Sequence, residues 1–318
     1  MRGFRKMKVW LFTLLTTGII LTICAVFCGC GGSLTYPSAG KYTSGSGSVD
    51  GAAVKDVDLS WLAGKVNITY HPEETITFSE TSDRVLSDEL SLHWWLDGST
   101  LRIQFAASGR LNLSALRKEL TLTLPESFAA NNVKISLASA DLQTATLRAA
   151  YISVNTASGS VRLSSDGAKE IQVNTASGDV HLIQTGSTDT VKLHTASGDL
   201  YASLEQVGYA ETETASGNIQ MEADRLTKGK AETASGEVNL YAKQLPTDYR
   251  IETASGDVSV RYPADASFTL KIDTASGDFK SDFAMKQDGN TYTCKDGTAN
   301  LRIETSSGDI SVYAADVD

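Results

Sequence analysis

Residues Val173–Leu182 read "VNTASGDVHL", and the chain writes this sentence eight times. "NTASGSV" begins at Asn155, "HTASGDL" at His194, "ETASGNI" at Glu213, "ETASGEV" at Glu232, "ETASGDV" at Glu252, "DTASGDF" at Asp273 and "ETSSGDI" at Glu304. Counted on the Thr of each copy, the steps are 19, 20, 19, 19, 20, 21 and 31 residues. "ISLASADL" places Leu137 a further 19 residues before Thr156 as a degenerate copy, and "LSWLAGKV" is a more distant one. A period near 20 is the signature of stacked supersecondary units, none of which can bury its apolar side alone.

The parity of the apolar residues gives the unit its shape. Ile171 and Val173 precede Thr175 at even offsets, so all three share one face of a strand. Val180 and Leu182 follow at odd offsets, so the parity flips within "ASG". The motif is therefore a corner between two short strands, with backbone freedom supplied by Gly159, Gly178, Gly198, Gly217, Gly236, Gly256, Gly277 and Gly308. Like stacks on like only in parallel, which points to an all-β, parallel right-handed β-solenoid of ~20-residue TASGD repeats. An antiparallel array of hairpins is the competing arrangement.

Charge follows the same period. Asn155, Asn174, His194, Glu213, Glu232, Glu252, Asp273 and Glu304 stand just before the Thr, and Lys192, Lys230, Arg250, Lys271 and Arg302 stand two places earlier. Both columns have outward parity, and a ladder of bases beside a ladder of acids compensates it. A second acidic column follows the Gly: Asp179, Asp199, Asn218, Glu237, Asp257, Asp278 and Asp309. It is either a row of corner hydrogen bonds to backbone N–H groups or a weak cation-binding edge.

The first thirty residues differ in kind. Arg2, Arg5, Lys6 and Lys8 precede an uncharged stretch from Val9 to Phe27. Nineteen residues make a helix of about 28 Å, close to a bilayer core. The basic flank places the N-terminus in the cytoplasm and the remainder outside. Retention as a helix, lipidation at Cys30 within "FCGCGGS" and cleavage as a signal peptide all remain open, and the first two tether the protein to the membrane. Residues 31–51 read as a Gly/Ser-rich linker, 52–130 as an irregular β part and 131–318 as the repeat array. "TITFSE", "LSLHWWL", "STLRIQF" and "KELTLTLP" alternate as strands, with a hairpin turn at Asp97 and single helical turns near Arg84–Leu90 and Leu113–Lys118. "FAMKQDGNTYTC" in the 31-residue step reads as a hairpin that projects from the stack or covers its end.

Composition excludes several functions. The chain of 318 residues holds 28 basic and 38 acidic side chains, and without residues 1–30 the balance is 24 against 38, a net of −14. That argues against nucleic acid as a partner. Only Cys294 lies in the body of the domain, so no disulfide framework exists. His71, His93, His181 and His194 fall in no ligand pattern with another His or Cys. The serines of "ASG" lack the Gly-x-Ser-x-Gly of a nucleophile elbow. No catalytic residue, cofactor or metal ligand is expected. Trp94 and Trp95 are the one local oddity: either one lies in the core and one on a surface, or an exposed ring stacks on sugars.

"VDLSWLAGKVNITY", "KELTLTLPES", the serial "TASGD" and the closing "IETSSGDISV" together resemble a bacterial putative-adhesin family, a β-strand repeat domain of unknown function, over about residues 50–318. The resemblance implies a membrane-tethered, right-handed β-solenoid of the kind common in Gram-positive bacteria, non-catalytic and on the outer face of the cell membrane. It implies contact with the membrane through the N-terminal segment and with an extracellular protein or wall polymer. Some relatives are associated with cell-envelope stress systems, which gives an accessory role there as the alternative. A carbohydrate-active β-helix enzyme is the third reading.

Overall fold

The computed structural model describes residues 33–111, 113 and 115–315, and these are almost wholly β. Their helical pieces are two 3-10 turns, Ala39–Lys41 and Gly51–Ala53. The expected anchor, residues 1–30 with Cys30, lies outside the described residues, and no described helix is long and apolar enough to cross a membrane. Near Arg84–Leu90 and Leu113–Lys118 the chain closes single turns, Leu90 N–H on Ser87 O at 2.9 Å and Leu116 N–H on Leu113 O at 3.1 Å.

The chain divides into two compact units, Met1–Ser165 with Gln172–Gly178, and Asp166–Ile171 with Asp179–Asp318. In the first, the strand Asp56–His71 runs straight through a corner at Gly64 and pairs in parallel with Ala130–Leu147, Trp61 beside Leu137 and Gly64 beside Ala140. Ala130–Leu147 pairs in parallel with Ala149–Ser158, Leu137 beside Thr156. Both degenerate copies thus stand one repeat apart in register. On its other side Asp56–His71 pairs in parallel with Thr100–Gln104 and then with Lys118–Pro125. Antiparallel strands His93–Asp97 and Thr75–Ser82 lie beyond these, so the terminal edges are covered rather than left open.

The Gly/Ser stretch expected to be a linker is structured from Ser33 onward: Ser33–Leu34 pairs antiparallel with Gly109–Arg110, and Leu34 and Tyr36 are buried. Gly47–Asp50 is a strand, antiparallel to Thr75–Ser82. A Cβ at Gly47 would meet the rings of Phe78 at 2.9 Å and Trp94 at 3.0 Å, so the small residue admits a close approach rather than conferring flexibility.

In the second unit, Val180–Ser197, Leu200–Ser216 and Ile219–Ser235 stack in parallel, with Thr195, Thr214, Thr233 and Thr253 in one row. The hairpin-array alternative is set aside by this register. Val180, Leu182, Val191, Leu193 and Thr195 are all buried, so the inward face does switch parity across the corner. Each buried Val or Leu contributes about 1.5–3 kcal/mol.

Stacking order departs from chain order at the end. Asp248–Ser255 pairs not with the seventh copy but with the eighth, Thr253 beside Thr305, and Ala299–Ser307 pairs in turn with Phe268–Thr274, Thr305 beside Thr274. The eighth copy is inserted between the sixth and the seventh. The long step makes this possible. Its hairpin, Lys286–Asp288 with Thr291–Cys294, lies antiparallel along the outer edge of Phe268–Thr274, and the chain then returns inside.

Candidate functional site

The corners are where the repeats touch most closely. A Cβ on Gly178 would overlap the carbonyl oxygen of Gly159, and the same holds for Gly217 against Gly198, Gly236 against Gly217 and Gly256 against Gly236. The inserted copy keeps the pattern, Gly308 against Gly256 and Gly277 against Gly308. At Gly308 the φ of 143° adds a conformational demand, whereas Gly217 has no such φ and is restricted by space alone. The buried Thr completes the corner. Thr214 and Thr233 each donate to the carbonyl of the preceding repeat's Gly, Gly198 and Gly217, at 3.2 Å. At these two corners the hydroxyl partners a buried carbonyl, which would be costly to leave alone, whereas Thr156, Thr274 and Thr305 donate to the Ser carbonyl two residues on.

The acidic column after the Gly is consumed by the backbone. Asp199 N–H donates to Asp179 Oδ1 at 3.0 Å, Asn218 N–H to Asp199 Oδ1 at 2.7 Å and Glu237 N–H to Asn218 Oδ1 at 2.9 Å. Asp309 N–H donates to Asp257 Oδ1 at 2.8 Å, and Asp278 N–H to Asp309 Oδ1 at 2.9 Å. These side-chain oxygens, four carboxylates and the Asn218 amide, are rungs of a ladder that bind the next repeat, the first of the two readings of the column.

The pre-Thr columns converge on the densest polar cluster. Register sets His194, Glu213, Glu232, Glu252 and Glu304 in one row, and Lys192, Glu211, Lys230, Arg250 and Arg302 in the neighbouring row. Lys230 Nζ lies 3.0 Å from Glu211, 3.5 Å from Glu232 and in direct contact with Glu213. His194 Nε2 is 3.5 Å from Glu211. Arg250 bridges Glu252 and Glu304, and Arg302 pairs with Glu304 at 2.5 Å. The columns are less exposed than outward parity implies: the side chains of Glu213 and Glu252 are only 13% and 12% exposed. His194 holds the Glu211 carboxyl well below the usual carboxylate range, against the effect of burial, and Glu213 and Lys230 add to it. Burial pushes Glu213 up, opposed by Lys230. For Lys230, burial favours the neutral amine, but Glu213 and Glu211 together outweigh it and raise its pKa.

Among the described residues, His194, Glu211 and Glu213 are the one group whose donor atoms converge as metal ligands would. The Lys230 ammonium already occupies the place of a cation there, so the donors are those of an ion-pair network. Sequence inspection missed this convergence because Glu213 lies 19 residues beyond His194; one repeat period was the signal.

The first unit holds a second polar cluster that was also missed. Lys118 is fully buried, with Nζ 2.6 Å from Glu80 Oε2 and 2.8 Å from Leu90 O, and it also donates to Phe105 O. Rings of Phe105 and Trp61 lie 4.3 and 5.0 Å from the ammonium. Burial lowers its pKa, and Glu80 opposes the fall. Parity would have found it: Lys118 shares the inward phase of Leu120, Leu122 and Leu124, and Glu80 that of Ile76 and Phe78. Trp94 packs on Phe78 with centroids 5.0 Å apart, and Trp95 on Tyr42 at 5.7 Å, and both are half-buried. His71 is held by Glu73 and Thr75 O, His93 by Ser91 O, and His181 stacks on Tyr201 at 4.5 Å. Cys294 is a buried thiol.

The two polar clusters are ion-pair and hydrogen-bond networks, and the molecule is a stacked β-repeat protein of β-solenoid-like build. The family profile described as Toastrack DUF4097 matches residues 72–227 and again 187–313, and the chain belongs to that family. No curated protein matches the sequence. Three solved structures are similar. A "putative cell adhesion protein" of Clostridium sporogenes is 14% identical, over 86% of this chain and 100% of that one, with a TM-score of 0.21. A "putative adhesin" of Bacteroides fragilis is 10% identical over 84% and 95%, TM-score 0.41. Another of Parabacteroides distasonis is 12% identical over the same shares, TM-score 0.49.

Proposed function

We propose that this protein is a non-catalytic interaction scaffold of the adhesin type, held at the outer face of a bacterial cell membrane by residues 1–30. The repeats wind as a right-handed coil, and Cys30 is the candidate acceptor for a lipid if the segment is processed. One observation carries the reading. Most of the repeated carboxylates, bases and hydroxyls, Asp179, Asp199, Lys230 and Arg250 among them, are engaged with one another or with backbone, which leaves a regular surface for recognition. Membership of the Toastrack family is consistent with it. An extracellular protein or wall polymer is the partner class, and the acidic balance disfavours nucleic acid.

The test uses the full chain in living cells. Fractionation should place it with membranes, external protease should reach it on intact cells, and surface cross-linking should recover a partner. Recovery from the culture medium, or protection from external protease, would overturn the tethered reading. Palmitate labelling that Cys30→Ala abolishes would assign the anchor to lipidation.

A further inference from the structure

We propose that the second unit carries a saccharide-binding groove built from Tyr241, Arg261, Asp282 and Tyr313. This deepens the scaffold reading and rests on it. Tyr241 pairs with Arg261, and Arg261 with Tyr313, across neighbouring parallel strands. Steps of about 4.8 Å set the two tyrosines roughly 10 Å apart with the arginine between them. They line an open groove of about 440 Å³ together with Asp282, Ala314 and Ala315. Tyr313 remains 39% exposed, one of few large apolar side chains left so.

Arg261 differs from four of the five bases of the pre-Thr columns, Lys271 being the exception. Lys192, Lys230, Arg250 and Arg302 are all ion-paired. Among the described residues, no carboxylate lies within ion-pair reach of the Arg261 guanidinium. Asp282 Oδ2 accepts the Ala314 N–H at 3.2 Å, and the carboxylate is otherwise exposed. The groove is therefore lined by two partly exposed tyrosines, a donor-only group and an acceptor-only group.

A row of uncharged side chains runs beside it. Gln220, Asn239, Ser259 and Ser311 are in register on the same outward face. Amides and hydroxyls both donate and accept, as do sugar hydroxyls, and tyrosine rings cover the apolar C–H faces of pyranoses. A periodic ladder also suits a periodic ligand. An anionic chain fits less well, because Glu222 pairs directly with Tyr241 and the exported part has a net charge of −14. The ligand class is an uncharged pyranose oligosaccharide.

The test titrates full-length protein, in a detergent without a sugar headgroup, with cellohexaose, xylohexaose, mannohexaose and chitohexaose. Polygalacturonate is the anionic comparison. At least one neutral hexamer should bind. Tyr241→Ala and Tyr313→Ala should each weaken it tenfold or more and Arg261→Met severalfold, with unchanged melting temperatures. Tyr151→Ala, an exposed tyrosine of the other unit, should have no effect. Binding of none of the neutral hexamers, binding of polygalacturonate alone, or alanine variants that bind like wild type would overturn the proposal. The scaffold reading fails separately. Surface exposure and a cross-linked partner with no sugar binding would end this inference alone, whereas sugar binding by a protein recovered from the medium would end the tether alone.

Discussion

At the scale of the residue, the corner glycine is set by the neighbouring repeat as much as by its own backbone. Gly217 has no left-handed φ, yet a single Cβ there would overlap Gly198 O. Gly217→Ala should therefore lose about 3 kcal/mol, as overpacking against backbone does. Asn218→Ala removes one acceptor for the Glu237 N–H and should lose about 1 kcal/mol. Urea unfolding would separate the two; equal midpoints would mean that the stack relaxes around a methyl group. The Lys118–Glu80 pair obeys another rule. Lys118→Met strands Glu80 in the core and should lose about 3–5 kcal/mol, while the double change Lys118→Met with Glu80→Leu should recover most of it. A double variant no more stable than the single one would show that the ammonium's bonds to Leu90 O and Phe105 O matter more than the charge pair.

At the scale of the element, parallel strands in register turn single side chains into columns, and columns have collective electrostatics. Glu211, with its depressed carboxyl, contributes stability above the ordinary carboxylate pKa of about 4.3 that fades as pH falls. Lys230, with its raised pKa, contributes stability below the ordinary lysine pKa of about 10.4 that is lost above it. Glu213, pushed up by burial, offsets part of this near neutrality. Lys230→Met leaves three carboxylates facing one another and should cost ~2 kcal/mol near pH 7.5, between the exposed and buried limits. The loss should shrink toward pH 4.5 as protons neutralise the cluster. Melting curves at both pH values test the sign; a loss independent of pH would mean that Lys230 acts by packing alone. The hairpin Lys286–Asp288 with Thr291–Cys294 is an edge cover. Replacing residues 286–295 by a Gly-Ser linker should bare Phe268–Thr274 and cause concentration-dependent self-association in sedimentation velocity. A variant that stays monodisperse would show that the edge needs no cover.

At the scale of the whole molecule, chain order and spatial order part company. Residues near a C-terminus commonly fray, but here the eighth copy lies between the sixth and the seventh. Amide exchange at Ile303, Glu304, Ile310 and Val312 should be as slow as at Ile251 and Val258, and slower than at Phe279–Ser281, which pairs with Ile310–Ala315. Rapid exchange at 303–312 would contradict the insertion.

The sequence by itself determined the repeat, its corner and its parity. These depend on local alternation and on a fixed period, and Thr195, Thr214 and Thr233 reveal both without any coordinates. Spacing likewise exposed the degenerate copy at Leu137, and the likeness of "LSWLAGKV" the more distant one at Trp61; the two lie side by side. Tertiary structure alone decided where the eighth copy goes, because a 31-residue step is long enough to reach either side of its neighbour. It also decided that Gly47 packs tightly against aromatic rings, that the acidic column binds backbone, and that Tyr241, Arg261 and Tyr313 share one groove. Each of these depends on which strand lies alongside which, and pairing between distant segments is set by the burial of the whole stack, not by the residues adjacent in sequence.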